Sequence, residues 1–455
     1  MLVYFVVPDR MKNLVLLLAS LFFYGWGEPK YLVFMLASVT QSYIAALLIE
    51  RFRGTIIAKS ALTVSAAAGL GLLAYCKYAD FFIGNFNAVT GLSVPLLKVA
   101  LPVGISFYTF QILSYVIDVY RGEVPAQRNY IDLAMYVAMF PQLIAGPIVR
   151  YSDIAGSLKN RKTTLADASE GITRFSVGLA KKILLANSAA LLVSEFKAYG
   201  EKTVLFYWLY AAAYMLHIYF DFSGYSDMAI GLGRIFGFRF SENFNYPYIS
   251  ASITEFWRRW HISLSSWLKD YLYISLGGNR KGHVRTYVNL IITMLLGGLW
   301  HGAAWRFVLW GAWHGISLAV HKWFMAHVPG FKTQGADMPL WRRCIGIVIT
   351  FHVVCFGWIM FRATDMQTVR NMLSQIFTDF KPALIPQVVS GYAPVMALMA
   401  IGYLLHLLPA KSGLWAQQTV TKSPLPVKAI VLALLIWGVM LIKSSEIQPF
   451  IYFQF

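Results

Sequence analysis

The chain has 455 residues, of which 58% are hydrophobic and 13% charged, and its mean hydropathy is +0.57. Soluble proteins carry about 25% charged residues, so this composition excludes an ordinary soluble domain and predicts a membrane protein. Lysine and arginine number 39 against 21 acidic residues, a net charge of +18. Cytoplasmic loops and anionic lipid explain such an excess, and since no nucleic-acid-binding motif accompanies it, no nucleic-acid partner is expected.

The three cysteines predict neither a disulfide framework nor a thiolate metal site. Cys344 and Cys355 are eleven residues apart, about 16 Å along a helix and too far for a disulfide, and Cys76 stands alone. The sequence has no Cys-x-x-Cys pair. The cysteines therefore suggest no thiolate metal site. No metal ion and no permanently bound cofactor are expected.

Apolar runs separated by glycine, proline or basic residues predict membrane helices. Met11–Trp26 and Tyr31–Ile49 are split at Gly27–Lys30, which predicts an α-hairpin. Tyr130–Val149 contains two prolines and a glycine, and such breakage is tolerated at membrane depth only where protein covers it, so a re-entrant segment is expected. The other predicted spans outside the histidine-rich region are Ile56–Cys76, Val99–Tyr120, Thr203–Phe220, Cys344–Phe361, Tyr392–Leu408 and Val427–Ile442.

Three basic loops predict how the chain is oriented in the membrane. They are Glu50–Lys59, Arg150–Lys162 and Asn279–Arg285, and the second of them has a net charge of +3. Loops enriched in lysine and arginine stay on the cytoplasmic side. We therefore predict that all three face the cytoplasm.

Charged residues also mark the stretch between the second and third basic loops. Gly171–Phe196 is amphipathic, with Lys181 and Lys182 on one face. The span Thr203–Phe220 runs into Asp221–Asp227, which begins and ends with a carboxylate. These two carboxylates are expected near a membrane boundary.

Ser252–Leu268 combines a helix start with a histidine on an apolar face. Ser252 and Glu255 form the S-x-x-E pattern of a capping box, so a helix is predicted to begin there. Apolar residues at i, i+4, i+7 and i+11 predict one face of that helix: Trp257, His261, Leu264 and Leu268. A helix of this kind suits the membrane surface or the wall of a cavity. His261 is either a packed core histidine or part of a site, and the spacing leaves both open.

A second histidine follows an uncharged run. Tyr287–Trp300 would rise about 21 Å as a helix, so His301 is predicted well inside a membrane core of about 30 Å. Glycines surround it and predict a bend or a close approach of two backbones. An ionisable side chain at that depth is by default a functional candidate, and the alternative is a histidine hydrogen-bonded to a neighbouring helix.

The next apolar run, Ala303–Trp323, places His314 and His321 seven residues apart on one helix face. With it the chain contains about ten to twelve transmembrane or re-entrant helices. No internal repeat divides the sequence, and the longest polar connection covers 25 residues at Thr364–Val388. We therefore expect an all-α integral membrane protein with one domain over residues 1–455.

Six ordered motifs resemble those of the membrane-bound O-acyltransferase family, and more narrowly of its bacterial branch that O-acetylates exported polysaccharides. The likeness is greatest to the alginate O-acetylation subfamily. The motifs are Leu101–Phe110 (LPVGISFYTF), Pro141–Pro147 (PQLIAGP), Asp221–Asp227 (DFSGYSD), Glu242–Tyr248 (ENFNYPY), Glu255–His261 (EFWRRWH) and Leu299–Gly302 (LWHG).

The resemblance implies a fold, an activity and two site residues. It implies a polytopic bundle around a central tunnel in the bacterial inner membrane. Acetyl groups would pass from cytoplasmic acetyl-CoA to an exported polysaccharide, with alginate as the first candidate and cellulose or peptidoglycan as alternatives. A periplasmic acetyltransferase is an expected partner. In the family, the histidine of Trp-His-Gly is the proposed catalytic residue, here His301 as general base, and a second histidine ends the Phe-Trp-Arg-Arg-Trp-His motif, here His261.

Two other classes of protein stay open at this point. In a transporter or flippase, Asp221, Asp227 and His301 would relay protons, although the absence of an inverted repeat counts against this. A non-catalytic scaffold that holds a periplasmic acetyltransferase is the third possibility. The sequence assigns no residue to the binding of CoA, because the basic loops could attract its phosphates or serve topology alone.

Overall fold

The computed structural model describes residues 2–27, 29–198, 204–329, 331, 338–363, 365–378 and 381–441. Within these ranges the chain is helical or connects helices, and no β-strand occurs, so the all-α prediction is confirmed. The chain forms two compact units, residues 1–168 with 232–241 and residues 169–231 with 242–455. The single domain over residues 1–455 stays a prediction.

The first unit contains the predicted α-hairpin, formed by its second and third helices. The helices of this unit are α1 (Leu2–Val6), α2 (Asp9–Gly27), α3 (Tyr31–Arg51), α4 (Ile56–Thr90), α5 (Ile105–Arg121), α6 (Tyr130–Ala138), α7 (Phe140–Leu143) and α8 (Tyr151–Lys159).

The third helix of the sequence prediction, Ile56–Cys76, is longer in the structure than predicted. Helix α4 has 35 residues and continues past Cys76 to Thr90. The charged residues that follow Cys76 are bonded to neighbouring parts of the chain. Lys77 donates to Ser106 Oγ at 3.1 Å, and Asp80 accepts hydrogen bonds from the backbone amides of residues 97 and 98 at 2.7 and 3.0 Å. Because both side chains have hydrogen-bond partners, the helix can continue through them.

Other boundaries in this unit also differ from the predicted ones. Helix α5 starts at Ile105 rather than Val99, because the preceding Gly104 has a left-handed backbone with φ of 75°. The predicted interruption of Tyr130–Val149 is confirmed, since the helix breaks at Met139. The basic segment Arg150–Lys162, predicted as a loop, contains helix α8.

The second unit holds the histidine-containing segments. The helices that lie mainly in it are α9 (Leu165–Ala180), α10 (Asn187–Ala198), α11 (Val204–Ile235), α12 (Ile253–Arg259), α13 (Ile262–Trp267), α14 (Gly282–His301), α15 (Trp305–His327), α16 (Leu340–Arg362), α17 (Met366–Thr378), α18 (Ile385–Gly391), α19 (Ala393–Leu407), α20 (Ala410–Lys422) and α21 (Leu425–Leu441). Segments of π-helix cover Lys181–Ala186 and Leu268–Tyr273.

Helix α11 continues fifteen residues beyond the predicted end at Phe220, through both carboxylates, to Ile235. Thr203, the predicted start, lies outside the described residues. Gly224 packs against Gly178 so closely that a Cβ on Gly224 would lie 2.7 Å from the Gly178 carbonyl oxygen. Small residues let two helices approach in this way inside a membrane protein.

Helices α14, α15 and α16 run alternately up and down. A Cβ on Gly298 of α14 would lie 2.2 Å from the carbonyl oxygen of Phe307 in α15, so only glycine permits this approach. Between α15 and α16, Trp313 Nε1 donates to the Val353 carbonyl at 2.7 Å, and the ring centroids of Phe307 and Phe361 lie 5.0 Å apart. This register brings the end of α14, the start of α15 and the end of α16 together.

Among the residues that the structure describes, three helices are long and apolar enough to cross a membrane: α3, α4 and α16. The bent pair Ile385–Gly391 and Met396–Leu407, with an 80° angle, would make a fourth span. Helices α11 and α15 are long as well, but their tyrosine, tryptophan, histidine and charged residues lower their hydropathy. The described residues therefore support a membrane protein, and the number of ten to twelve spans stays a prediction.

The orientation of the basic loops can be measured by cysteine labelling. In a Cys344→Ser background, which removes the exposed native thiol, we expect Lys159→Cys and Arg280→Cys to resist an impermeant maleimide in intact cells. Val94→Cys is the matched control, because α4 separates residue 94 from the basic loop before it. It should be labelled in intact cells. Labelling of residue 159 or 280 from outside would contradict the predicted topology.

Candidate active site

The helix predicted over Ser252–Leu268 is broken at the histidine. The helix start is confirmed, because Ser252 Oγ accepts a hydrogen bond from the Glu255 amide at 3.2 Å. Helix α12 nevertheless ends at Arg259, and α13 begins at Ile262. His261 lies between them with a left-handed backbone, φ 43° and ψ 56°. The predicted single apolar face is therefore wrong, since its residues belong to two helices.

Asn243 holds this break open. Its carbonyl accepts from the Ile262 amide at 2.9 Å, and its Oδ1 accepts from the amide and hydroxyl of Ser263 at 3.1 and 2.9 Å. Its Nδ2 donates to Ser226 Oγ at 3.2 Å. The side chain is completely buried, and its bonds supply partners to the first backbone amides of α13. Asn243 belongs to the Glu242–Tyr248 motif, but its role depends on contacts with residues 226, 262 and 263 that the motif itself does not indicate.

His261 is completely buried against aromatic rings. Its ring centroid lies 4.7 Å from that of Phe222 and 6.0 Å from that of Trp300. Neither ring nitrogen has a hydrogen-bond partner among the described residues. A buried polar atom without a partner costs about 1–3 kcal/mol, so an imidazole is an expensive choice for a purely packing role.

His301 is the last residue of α14, so the predicted bend is confirmed. The next residue, Gly302, has an extended backbone, and a Cβ there would lie 2.1 Å from the Phe307 ring. The half-buried imidazole lies 5.1 Å from Trp300, 5.1 Å from Trp310 and 5.2 Å from Phe361 between ring centroids. These aromatic rings form the wall around it.

The structure brings the two predicted histidines to the same side chain. Trp300 contacts His301 at 5.1 Å and His261 at 6.0 Å, although these histidines come from different helical segments. Trp300 is 4% exposed, so the contact is inside the second unit. Together the three rings form an imidazole–indole–imidazole group, in which His261 and Trp300 are buried and His301 is half-buried.

A third histidine lies beside this group. His314 is completely buried on α15, with its ring 4.9 Å from Trp310, which in turn contacts His301. His321 lies two turns further along α15, and its Nδ1 forms a hydrogen bond with Thr254 Oγ1 at 2.9 Å. The predicted shared face is confirmed, because His314 also contacts Trp257 of α12 at 5.2 Å. Within the described residues, no group of three His, Cys, Asp or Glu side chains is placed to hold a metal ion.

The two carboxylates of the DFSGYSD motif are ion-paired within the second unit. Asp227 accepts from Arg174 at 2.6 Å and from Lys181 at 2.6 Å, and Arg174 also binds Glu242 at 2.6 Å. In a separate pair, Asp221 binds Lys182. The predicted lysine face of Gly171–Phe196 is thus occupied by carboxylates.

The basic loops differ in exposure. In the first unit, the Arg161 side chain makes contacts within the fold. Its Nε donates to Tyr4 Oη at 2.9 Å, and its guanidinium lies 4.5 Å from the Phe238 ring centroid. In the second unit, Arg280 and Arg285 are exposed. The geometry therefore leaves only some of the predicted cations accessible to an anionic ligand.

These features define a helical membrane protein with histidines gathered around buried tryptophans. The chain belongs to the membrane-bound O-acyltransferase family, whose model matches residues 123–364, so the predicted family is confirmed. Both the Glu255–His261 and the Leu299–Gly302 motifs lie inside the matched region. The protein is therefore an acyltransferase.

Individual members of this family are similar to the chain over most of its length. The chain is 46% identical over 380 residues to a probable alginate O-acetylase of Azotobacter vinelandii, covering 82% of this chain and 74% of the relative. It is 41% identical to the protein of the same name from Pseudomonas putida, covering 99% and 96%. It is 37% identical to the peptidoglycan O-acetyltransferase of Helicobacter pylori, covering 81% and 75%.

Proposed function

We propose that this protein transfers acetyl groups from acetyl-CoA to hydroxyl groups of an exported polysaccharide, as a multi-pass protein of the bacterial inner membrane. Alginate is the first candidate acceptor, and peptidoglycan and cellulose are the alternatives. Similarity to alginate O-acetylases over nearly the whole chain supports the substrate class. The observation that carries the mechanism is the meeting of His301 and His261 at Trp300.

His301 is the proposed general base. Imidazole is mostly neutral at pH 7 and can take up a proton. It removes the proton of the acceptor hydroxyl while the oxygen attacks the thioester carbonyl carbon. The carbon–sulfur bond then breaks, the acetyl ester forms, and the CoA thiolate takes the proton from the imidazolium. General-base catalysis of this kind is typically worth about 10²–10⁴-fold.

The surroundings of His301 suit a reaction that must exclude water. Trp300, Trp310 and Phe361 surround the imidazole, which is nevertheless half-buried rather than sealed. An apolar wall protects a thioester from hydrolysis and strengthens polar interactions at the reacting atoms. His261, against the same tryptophan, orients the acceptor or supports His301.

The two substrates approach His301 from opposite sides in this proposal. Helix α14 has 20 residues, so His301 lies about 28 Å along the helix from Gly282, which follows a basic loop predicted to be cytoplasmic. Acetyl-CoA enters from the cytoplasm, where Arg280–Arg285 could attract its phosphates. The acceptor arrives from the outer side, either as polymer or through a periplasmic acetyltransferase partner.

A proton-relay transporter is the weaker alternative. Asp227 is bound by Arg174 and Lys181, and Asp221 is paired with Lys182. A carboxylate that is paired with cations is a poor proton carrier, because its protonation would require breaking the ion pairs. The paired carboxylates instead fasten α11 to the α9 segment.

Labelled acetyl transfer separates the enzyme from the two non-catalytic classes of function. Purified protein in proteoliposomes, given acetyl-labelled acetyl-CoA and a deacetylated acceptor polysaccharide, is expected to produce labelled polymer. Addition of the periplasmic acetyltransferase tests whether the polymer is the immediate acceptor. Label found only on that partner would make the partner the acceptor. Absence of label on both, in a preparation that is correctly folded, would contradict the enzyme and favour a transporter or a scaffold.

A further inference from the structure

Two arginines lie at the same end of the second unit's helices as His301. Arg306 is in the first turn of α15, and Arg362 is the last residue of α16. Phe361, next to Arg362, contacts the His301 ring at 5.2 Å and the Phe307 ring at 5.0 Å. The antiparallel register of these helices therefore places both cations at the helix end that carries the proposed base.

The two guanidinium groups are held in position by uncharged groups. Arg306 donates through Nη1 to the carbonyl of Ala363, and its guanidinium lies 4.6 Å from the Phe307 ring centroid. The guanidinium of Arg362 lies 5.9 Å from the ring centroid of Tyr214. The charges of the two guanidinium groups interact with each other, and both interact with the Tyr214 phenol. The three side chains form one cationic cluster.

This cationic cluster has unused hydrogen-bond donors. Arg362 Nε and Tyr214 Oη are buried without a hydrogen-bond partner in the described part of the chain. Among the same residues, neither Arg306 nor Arg362 forms an ion pair. The negative charge of Asp221 interacts with Tyr214, but this carboxylate is already paired with Lys182. Two adjacent like charges without a counter-ion are unfavourable unless an anion joins them.

The positive-inside rule does not explain why Arg306 and Arg362 lie at this end of the helices. The opposite end of α14, α15 and α16 carries the basic residues expected of a cytoplasmic face. These are Arg280, Lys281, Arg285, Lys322, Arg342 and Arg343. With that end in the cytoplasm, Arg306 and Arg362 lie toward the outer side, where the positive-inside rule requires no arginine and where the acceptor arrives.

We propose that Arg306, Arg362 and Tyr214 bind carboxylate groups of an acidic polysaccharide, so that a sugar hydroxyl is presented to His301. This inference rests on the proposed function and specifies its acceptor as a uronate-containing polymer. The planar guanidinium matches a carboxylate with two parallel hydrogen bonds, and the phenol adds a further donor. A neutral glucan offers no anion to this cluster. The three residues would therefore select alginate over cellulose.

Binding to matched oligosaccharides tests this assignment. The probes are an oligomannuronate and its carboxyl-reduced, neutral counterpart of the same length, titrated by calorimetry against the purified full-length protein at low salt. The wild type should bind the acidic probe about tenfold to a hundredfold more tightly than the neutral one, as expected for charge-assisted hydrogen bonds. Arg306→Gln and Arg362→Gln should each remove most of that difference, and the lysine variants should keep part of it.

The controls distinguish this site from a CoA site and from unfolding. Arg343→Gln removes an exposed arginine from the other end of α16 and should bind both probes like the wild type. Thermal melting shows whether each variant folds. Equal affinity of the wild type for both probes would overturn the proposal. So would a loss of CoA binding in the arginine variants with the acidic probe still bound, because the anion would then be a phosphate.

The same titration separates this inference from the proposed function. Selective binding of the acidic probe without any acetyl transfer would leave the carboxylate site intact and refute the enzyme. Acetyl transfer without selectivity for the acidic probe would leave the enzyme intact and refute the carboxylate site.

Discussion

Replacement of His301 by glutamine is expected to stop acetyl transfer as completely as replacement by alanine. Glutamine keeps a polar group at the end of α14 and can hydrogen-bond within the same ring of aromatic side chains. An amide cannot take up a proton at neutral pH, whereas imidazole can. Loss of the base should therefore lower the rate by about 10²–10⁴-fold in both variants. The measurement is labelled acetyl incorporation at matched amounts of membrane protein.

The contrast between alanine and glutamine tells a base from a structural histidine. If His301 only stabilised a neighbouring helix, glutamine would retain much of the activity that alanine loses. His327→Ala is the control, because this exposed histidine lies at the far end of α15 and should acetylate like the wild type. Substantial activity in the glutamine variant would overturn the assignment of His301 as general base. If the protein were a transporter and a separate enzyme in the membranes acetylated the polymer, solubilised acceptor would still be acetylated in both variants.

His261→Ala is expected to leave the protein inserted in the membrane but to reduce polymer acetylation strongly, by roughly 10²-fold or more. His261 contacts Trp300, which also contacts His301, so its loss changes the group that presents the acceptor to the base. Alanine also leaves a cavity against Phe222, and this alone could lower activity through a loss of stability.

His261→Phe separates these two effects. Phenylalanine retains the aromatic contacts and removes two buried nitrogens that have no partner in the described structure. Removing unsatisfied polar atoms should relieve about 1–3 kcal/mol, which offsets the larger volume of the new ring. We expect a melting temperature close to that of the wild type together with strongly reduced acetylation. A phenylalanine variant that acetylates normally would make His261 a packing residue.

Local patterns predicted the helical framework well. The apolar runs became helices, and the break between Met11–Trp26 and Tyr31–Ile49 and the capping residue Ser252 were found where they were expected. Membership of the family followed from motifs that are contiguous in sequence, and the match over residues 123–364 confirms it. The roles proposed for His301 and His261 came from those motifs as well, because a single histidine in an apolar run has several explanations.

Helix ends were less predictable where distant groups satisfied polar residues. Helix α4 continues past Lys77 and Asp80, and α11 continues past Asp221, because each charge finds a partner elsewhere in its own unit. A polar residue ends a membrane helix only if nothing pairs with it, and pairing depends on contacts that local sequence does not contain.

The sequence by itself determined that this is an all-α membrane protein, which family it belongs to and which histidines to suspect, since composition, helical spacing and contiguous motifs are local properties. Tertiary structure alone decided the shape of the site. The face predicted through His261 assumed one regular helix, but Asn243, twenty residues before Ser263, bonds to the break and holds it open. The meeting of two histidines at Trp300 likewise depends on how separate helical segments pack. Periodicity describes one face of one helix, whereas a site is formed where several helices meet.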